Sequence, residues 1–377
     1  MTQSPGILLM VLGFLLMIGP LIFVHEMGHY LAGRLFGVQV DSFSLGMGRE
    51  LAGWTDRRGT RWRLSALPIG GYVKFTGDMG PASVPDPAWA GRSEAERART
   101  LAGKPVWQRF IVVAAGPITN FVAAILIWAL FFAVTGVPQT PTRIAEVLKG
   151  SAGAAAGVRP GDRILSVAGR PVDRFEQIVE LVRLRPAQRI ALEVERGGER
   201  LHLSAVTRSV EDSDAAGNRF QTGLLGVRPG AQVITRPGPV GIIGAAVERT
   251  WDVVRTMADV IGQIIGGRRP ASELGGPLRI AQYSGEAVSF GWLPFIQLMA
   301  LISINLGFIN LLPIPLLDGG HLFFYIMEGL RRRPLPAQAQ EWAFRSGLAL
   351  LLGFMLFVTV NDLASFGVWR RLAGLIG

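Results

Sequence analysis

The chain has 377 residues, 49% of them hydrophobic, with a formal net charge of +10 and no cysteine. A mean hydropathy of +0.35 excludes an ordinary soluble enzyme, and the lack of cysteine excludes disulfides and thiolate metal ligands. The positive balance does not point to nucleic acid, because the arginines cluster in segments between long apolar runs, as a membrane orientation signal would.

The first apolar stretch, Gly6–Val24, approaches the ~20 residues of a spanning helix. Met1–Gly6 holds no Lys or Arg and no small-x-small cleavage site follows, which predicts a retained helix rather than a signal peptide. The run leads directly into His25-Glu26-Met27-Gly28-His29, an H-E-x-x-H motif. Histidines four apart share one helix face, with Cβ atoms roughly 5–6 Å apart. Both imidazoles then reach one Zn²⁺ at about 2.0–2.1 Å. Glu26 stands where a general base would take a proton from water at the metal. The competing explanation is a pair of polar residues stabilising a helix end. Histidine is scarce, however (His25, His29, His202 and His321 are all there are), and ionisable groups beside hydrocarbon are costly.

Val38–Leu45 alternates, Arg61–Leu67 follows the turn Asp56-Arg57-Arg58-Gly59, and Gly70–Phe75 reads as a further short strand. Together they predict a small β-meander near the metal helix. Gly80–Arg99, rich in Pro, Ser, Ala and charge, reads as a mobile loop. Arg49, Arg57, Arg58, Arg61, Arg63, Arg92, Arg97 and Arg99 mark this region as cytoplasmic, as Arg331-Arg332-Arg333 do after the third span. Both termini and the Thr140–Trp292 region then lie outside the cytoplasm, although Arg370-Arg371 runs against this.

The second span, Phe110–Val137, is uncharged. Beyond it, Arg143–Val227 reads as a compact α/β module. Strands are expected at Arg143–Val147 and Arg163–Val167, and an amphipathic helix at Val172–Leu184. A hairpin turns at Gly197-Gly198, and a last strand covers Phe220–Val227. Gly241–Ile265 carries the stripe Ile243, Val247, Trp251, Val254, Met257, Ile261 and Ile264, which predicts a helix lying on the membrane; packing on the module is the alternative.

The third span, Leu293–Leu317, runs into Asn310-Leu311-Leu312-Pro313-Ile314-Pro315-Leu316-Leu317-Asp318-Gly319-Gly320. Asp318 is the only acidic residue between Glu286 and Glu328, so it is the best candidate for the third ligand that a catalytic zinc site needs. A helix-capping role competes with that assignment, and His321 ranks second as ligand. Leu348–Val360 is the core of a fourth span, extending over Ser346–Gly367.

The H-E-x-x-H motif, the Asn310–Gly320 stretch and Gly116-Pro117-Ile118-Thr119-Asn120 together resemble the site-2 proteases, intramembrane zinc metalloproteases. The nearest likeness is to the bacterial branch typified by the regulator of sigma-E protease, though only one PDZ-like module fits between Thr140 and Pro229 where better-known members carry two. The resemblance implies a polytopic α-helical membrane protein with four transmembrane helices, a membrane-associated β-meander and one extracytoplasmic α/β PDZ-like domain. It divides the chain into 1–37 (first span), 38–104 (meander and loop), 105–139 (second span) and 140–230 (PDZ-like domain). The remainder is 231–290 (amphipathic interfacial region), 291–333 (third span) and 334–377 (fourth span).

By the same resemblance His25, His29 and Asp318 hold Zn²⁺, and Glu26 is the base. Asn305 and Asn310 match positions that hold substrate, and Pro313 and Pro315 match the pair shaping the loop before the aspartate. For the asparagines, helix–helix hydrogen bonding is a competing explanation. Ala155–Leu165 resembles the PDZ turn and strand, and Gly223, Leu224, Leu225, Gly226 and Val227 its peptide-binding loop. Such a loop would accept a strand or carboxylate, unless the module only screens by bulk. The implied substrates are pre-trimmed single-span membrane proteins, such as anti-sigma factors or remnant signal peptides, in the bacterial inner membrane, with lipid and not nucleic acid as the other partner. A non-proteolytic PDZ scaffold and a metal transporter are the alternatives.

Overall fold

The computed structural model describes residues 6–77, 91, 93–213, 219–267, 269–270, 275–333 and 335–365. The chain forms two compact units, one of 1–128 with 276–359 and one of 129–275 with 360–377.

In the first unit, helix α1 (Ile7–Leu35) carries the apolar run through the histidine pair without a break. Strands β1 (Val40–Thr55) and β2 (Arg61–Phe75) follow. Asp56 closes the turn between them by accepting from the Arg58 and Thr60 amides, and Gly59 supplies the positive φ of 82°. The expected meander is built from these two long bent strands. Residues 42–45 of β1 are flanked on one side by Arg61–Leu64 and on the other by Gly71–Lys74. The sheet buries Val40, Phe43, Val73 and Phe75 against Tyr30 of α1 and Val112. After the short α2 (Glu94–Arg97), helix α3 (Val106–Thr135) begins. Most of the predicted loop, 80–90 and 92, lies outside the described residues.

The second unit contains the α/β module. Its elements are β3 (Val137–Gln139), β4 (Ile144–Val147), α4 (Ala152–Ala155), β5 (Arg163–Val167), β6 (Arg170–Pro171), α5 (Phe175–Arg183), β7 (Arg189–Arg196) and β8 (Glu199–Val206). They continue with β9 (Arg208–Ser213), β10 (Arg219–Leu224), β11 (Val227–Pro229) and β12 (Val233–Thr235). The central sheet has the order β6-β5-β7-β8. The alternating residues Ile190, Leu192 and Val194 of β7 point into a core with Ile164, Val167 and the apolar face of α5. The single strand expected at Phe220–Val227 is two, because Gly226, at φ 72°, breaks the extended backbone between β10 and β11.

Helix α6 (Pro239–Ile265) belongs to this second unit, and its charges pair with the module. Arg174 meets Asp252 at 2.7 Å, Arg249 meets Glu180 at 2.7 Å, and Arg185 meets Asp259 at 3.2 Å. The predicted 231–290 region therefore divides between the two units. Helix α7 (Pro277–Phe290) lies in the first unit, packed on α1, where Gly13 and Gly285 let the two backbones close up.

Helix α8 (Trp292–Asn310) ends earlier than the third span was expected to. Pro313 and Pro315 lack the amide a helix needs and push their preceding residues out of the helical region, and Leu316 takes a positive φ of 81°. A tight loop results, after which α9 (Asp318–Arg331) starts at the aspartate; α10 (Ala337–Ser365) follows. Ile7–Leu35, Val106–Thr135, Trp292–Asn310 and Gln338–Ala364 are long and apolar enough to cross a membrane. Arg370-Arg371 lies outside the described residues.

Candidate metal centre

On α1, His25 and His29 sit one turn apart, both buried, with their Nε2 atoms 3.3 Å from each other. Helix α3 holds them. The His29 Nδ1 donates to the Val112 carbonyl at 2.9 Å, and the Asn120 amide meets the His25 Nδ1 at 3.0 Å. Thr119 Oγ1 lies 3.0 Å from the Val24 carbonyl, tying the two helices at the same level. This crossing needs glycine. A Cβ on Gly28 would lie 2.4 Å from the Ala115 carbonyl oxygen, and one on Gly116 only 2.2 Å from His29 Nε2.

The third donor comes from α9. Asp318 Oδ2 lies 3.1 Å from His25 Nε2, and its Oδ1 lies 3.4 Å from His29 Nε2. As the first residue of α9, the carboxylate sits at a helix N-terminus, where the free amides favour negative charge. Gly319 and Gly320 allow α9 to start tucked beneath the loop. A Cβ on either would lie 2.1 Å from the Leu312 oxygen or 2.5 Å from the Ile314 oxygen, respectively.

One nitrogen, one nitrogen and one carboxylate oxygen thus lie within 4.8 Å of one another. A carbonyl can only accept, so His29 Nδ1 carries a proton, and in the neutral ring Nε2 is a lone pair. That lone pair faces a second imidazole and a carboxylate whose Oδ2 is buried without a hydrogen-bond donor. Converging acceptors in apolar surroundings repel unless positive charge stands between them. Two imidazoles and one carboxylate are a donor set that catalytic Zn²⁺ takes, with one position left open. The residues present therefore fit the ion.

Glu26 is buried and points toward the sheet. The Val73 backbone amide faces its carboxylate. Gly71 makes that approach possible: a Cβ there would meet Glu26 Cγ at 2.9 Å and the Ser44 oxygen at 2.8 Å. The second half of β2 therefore runs beside the carboxylate.

Other predicted residues lie apart from this cluster. Asn310 donates to the Leu306 carbonyl of its own helix at 3.0 Å, and Asn305 is half-buried on the same helix, α8. Pro313 and Pro315 lie in the loop, where Pro315 packs on Gly347 of α10. His321 is not in the cluster; its ring packs against Phe344 with centroids 5.2 Å apart. In the module, Gly223, Leu224, Leu225, Gly226 and Val227 line a groove of about 200 Å³ with Phe175, Ile178 and Val182 of α5. The residue that sequence reasoning undervalued is Asn120. Its signal in the sequence is a carboxamide within an uncharged span, which the structure buries fully.

The profile of Peptidase family M50 matches residues 13–354. A protein of Agrobacterium fabrum named as a candidate zinc metalloprotease is 45% identical over 357 residues, which cover 93% of this chain and 95% of that one. Metalloprotease MmpA of Caulobacter vibrioides is 39% identical over 396 residues, covering 98% and 99%. A similarly named protein of Rickettsia conorii is 31% identical over 361 residues, covering 94% and 99%. With its histidine pair and carboxylate converging as a zinc site requires, the chain belongs to peptidase family M50, the site-2 proteases, and is a zinc metalloprotease.

Proposed function

We propose that this protease cleaves pre-trimmed single-span membrane proteins, such as anti-sigma factors or remnant signal peptides, within the bilayer of the bacterial inner membrane. In this reading His25, His29 and Asp318 hold Zn²⁺, and Glu26 is the general base. The observation that carries it is the convergence of those three donors beside a buried Glu26, in a unit built on apolar helices. Zinc, when bound, supplies Lewis-acid activation of water and of the scissile carbonyl. Glu26 accepts the proton from the attacking water and returns it to the leaving amine. The Val73 amide faces that carboxylate from β2.

A helical substrate hides its carbonyls, so it must extend before it is cut. The second half of β2, running beside Glu26, is suited to receive such a strand by edge addition. Asn305 and Asn310 then satisfy backbone groups released by unwinding; for Asn310 this requires exchanging its bond to Leu306. The arginine-rich 34–109 segment faces the cytoplasm and the PDZ-like module the opposite side. There the Gly223–Val227 groove takes the trimmed end of the substrate. Helix α6 lies on the lipid surface through Val240, Ile243, Val247 and Trp251, which are exposed, while its charges are spent on the module.

The test is the Glu26→Gln variant, reconstituted with a single-span substrate. It should bind zinc like the parent and cut nothing. Cleavage at the parental rate would end the assignment of the base, and loss of zinc would show that Glu26 acts in metal binding instead.

A further inference from the structure

Asn120 sits where three helices meet. Its side chain is fully buried on α3 and reaches His25 of α1, and its backbone carbonyl accepts the Ser303 hydroxyl of α8 at 2.8 Å. Gly307 of α8 passes its backbone, where a Cβ would lie 3.3 Å from Asn120 Cβ. Side chain and backbone are both clamped, so the amide cannot drift from the imidazole.

Each histidine meets one polar partner on α3 at its outer nitrogen. His29 Nδ1 meets a carbonyl oxygen, which fixes its proton there and leaves Nε2 bare. His25 Nδ1 faces the Asn120 Nδ2 at 3.0 Å, a nitrogen–nitrogen contact, while the Asn120 Oδ1 is buried with no donor. Oxygen and nitrogen of an amide exchange places by a half-turn about χ2. If nitrogen faces the ring, His25 Nδ1 must be the acceptor and Nε2 must carry the proton, directed at Asp318 and unable to bind metal. If oxygen faces the ring, Nδ1–H donates to it, the orphaned oxygen gains its partner, and Nε2 becomes a lone pair like that of His29.

The geometry points to Asn120 as a positioning residue for zinc: its amide oxygen accepts the His25 Nδ1 proton and thereby holds His25 in the ligating tautomer. This rests on the reading of His25 as a metal ligand and adds to it the residue that selects its protonated nitrogen. Partners of this kind orient the ring and raise its basicity, and their loss weakens metal binding about 10–100-fold.

Zinc affinity, measured on the purified full-length protein by chelator competition, separates the possibilities without recourse to activity. Asn120→Leu, which keeps the volume and removes the acceptor, should bind zinc about 10–100-fold more weakly. Asn120→Asp, which offers only acceptors, should bind within a few-fold of the parent. If the Asp variant loses zinc as the Leu variant does, the amide acts as a donor or as packing alone and the proposal is overturned. Parental affinity in Asn120→Leu overturns it as well. Should the Leu variant fail to fold, the Asp variant alone decides, since an acceptor-only side chain tolerates the ligating tautomer and opposes the other. His25→Ala tests the underlying reading separately: if it keeps parental affinity, His25 is not a ligand, whereas if it loses zinc while Asn120→Leu does not, only the role of Asn120 fails.

Discussion

In the unit that carries His25, His29 and Asp318, helices meet through glycine. Gly28 and Gly116 bring α1 against α3, Gly13 and Gly285 bring α7 against α1, and Gly319 and Gly320 tuck the start of α9 under its own loop. The α/β module is held differently. It has a contiguous core of branched aliphatic residues from β5, β7 and α5, and arginine–carboxylate pairs around it. The contrast follows from the surroundings each unit needs. Helices in lipid gain little from burying one more leucine, so close approach and a few hydrogen bonds set their packing. A module in water gains from every apolar group it covers. The metal unit should therefore fail abruptly, at single atoms, and the module by degrees.

The largest effect expected from this contrast is at Gly116. The methyl group of Gly116→Ala would overlap His29 Nε2, one of the two ring nitrogens that converge with Asp318, and relief requires prising α1 from α3. Zinc affinity should fall on the order of 100-fold or more, with proteolysis falling alongside it, as metal analysis of the purified variant would read. Parental zinc content in this variant would mean that the helices give way easily, and the contrast would not hold.

Next in size is the core of the module. Ile178 is 1% exposed, and Ile178→Ala should cost about 2–5 kcal/mol of local stability. Hydrogen exchange across 140–230 of the full-length protein should speed up while zinc content stays unchanged. Loss of zinc there would show that the two units are not independent in stability.

The smallest effect concerns charge. Asp162 accepts from Arg196 Nε and Nη2, each at 2.8 Å, and from the Arg159 amide at 2.8 Å. Burial alone would raise its pKa, but the Arg196 bond and the Arg159 amide outweigh it and hold the carboxyl below its ordinary value. A group depressed in the folded state stabilises above its unfolded pKa of about 3.9, and that contribution disappears as pH falls through the lower folded value. Exchange protection in the module should thus decline as the solution is acidified below about pH 4. Asp162→Asn should cost about 1–3 kcal/mol at neutral pH and flatten the acid limb. An unchanged acid limb would assign that sensitivity to other carboxylates.

Much of the module was legible in the sequence because its information is local. Alternation in Ile190–Val194 and Leu201–Ala205, with Gly197-Gly198 between them, specifies a hairpin through contacts a few residues apart. Local patterns are silent where distant partners decide. The stripe on α6 is as clear as any in the chain, yet only the placement of Arg174, Glu180 and Arg185 shows where the charged residues of that helix go. Apolar residues continue to Leu317, but the prolines among them stop α8 at Asn310.

The sequence by itself determined that two histidines share a helix face with a carboxylate beside them, since the α-helical repeat admits no other arrangement of H-E-x-x-H. It also made Asp318 conspicuous, as a lone acid after an apolar run. Only the tertiary structure decided that these donors meet, that Gly116 leaves room for them, and that Asn120 reaches the outer nitrogen of His25. A helix period fixes angles along one segment. The distance between lone pairs on separate helices is fixed by how closely the backbones pack, and here that distance depends on which residues at the crossings lack a Cβ.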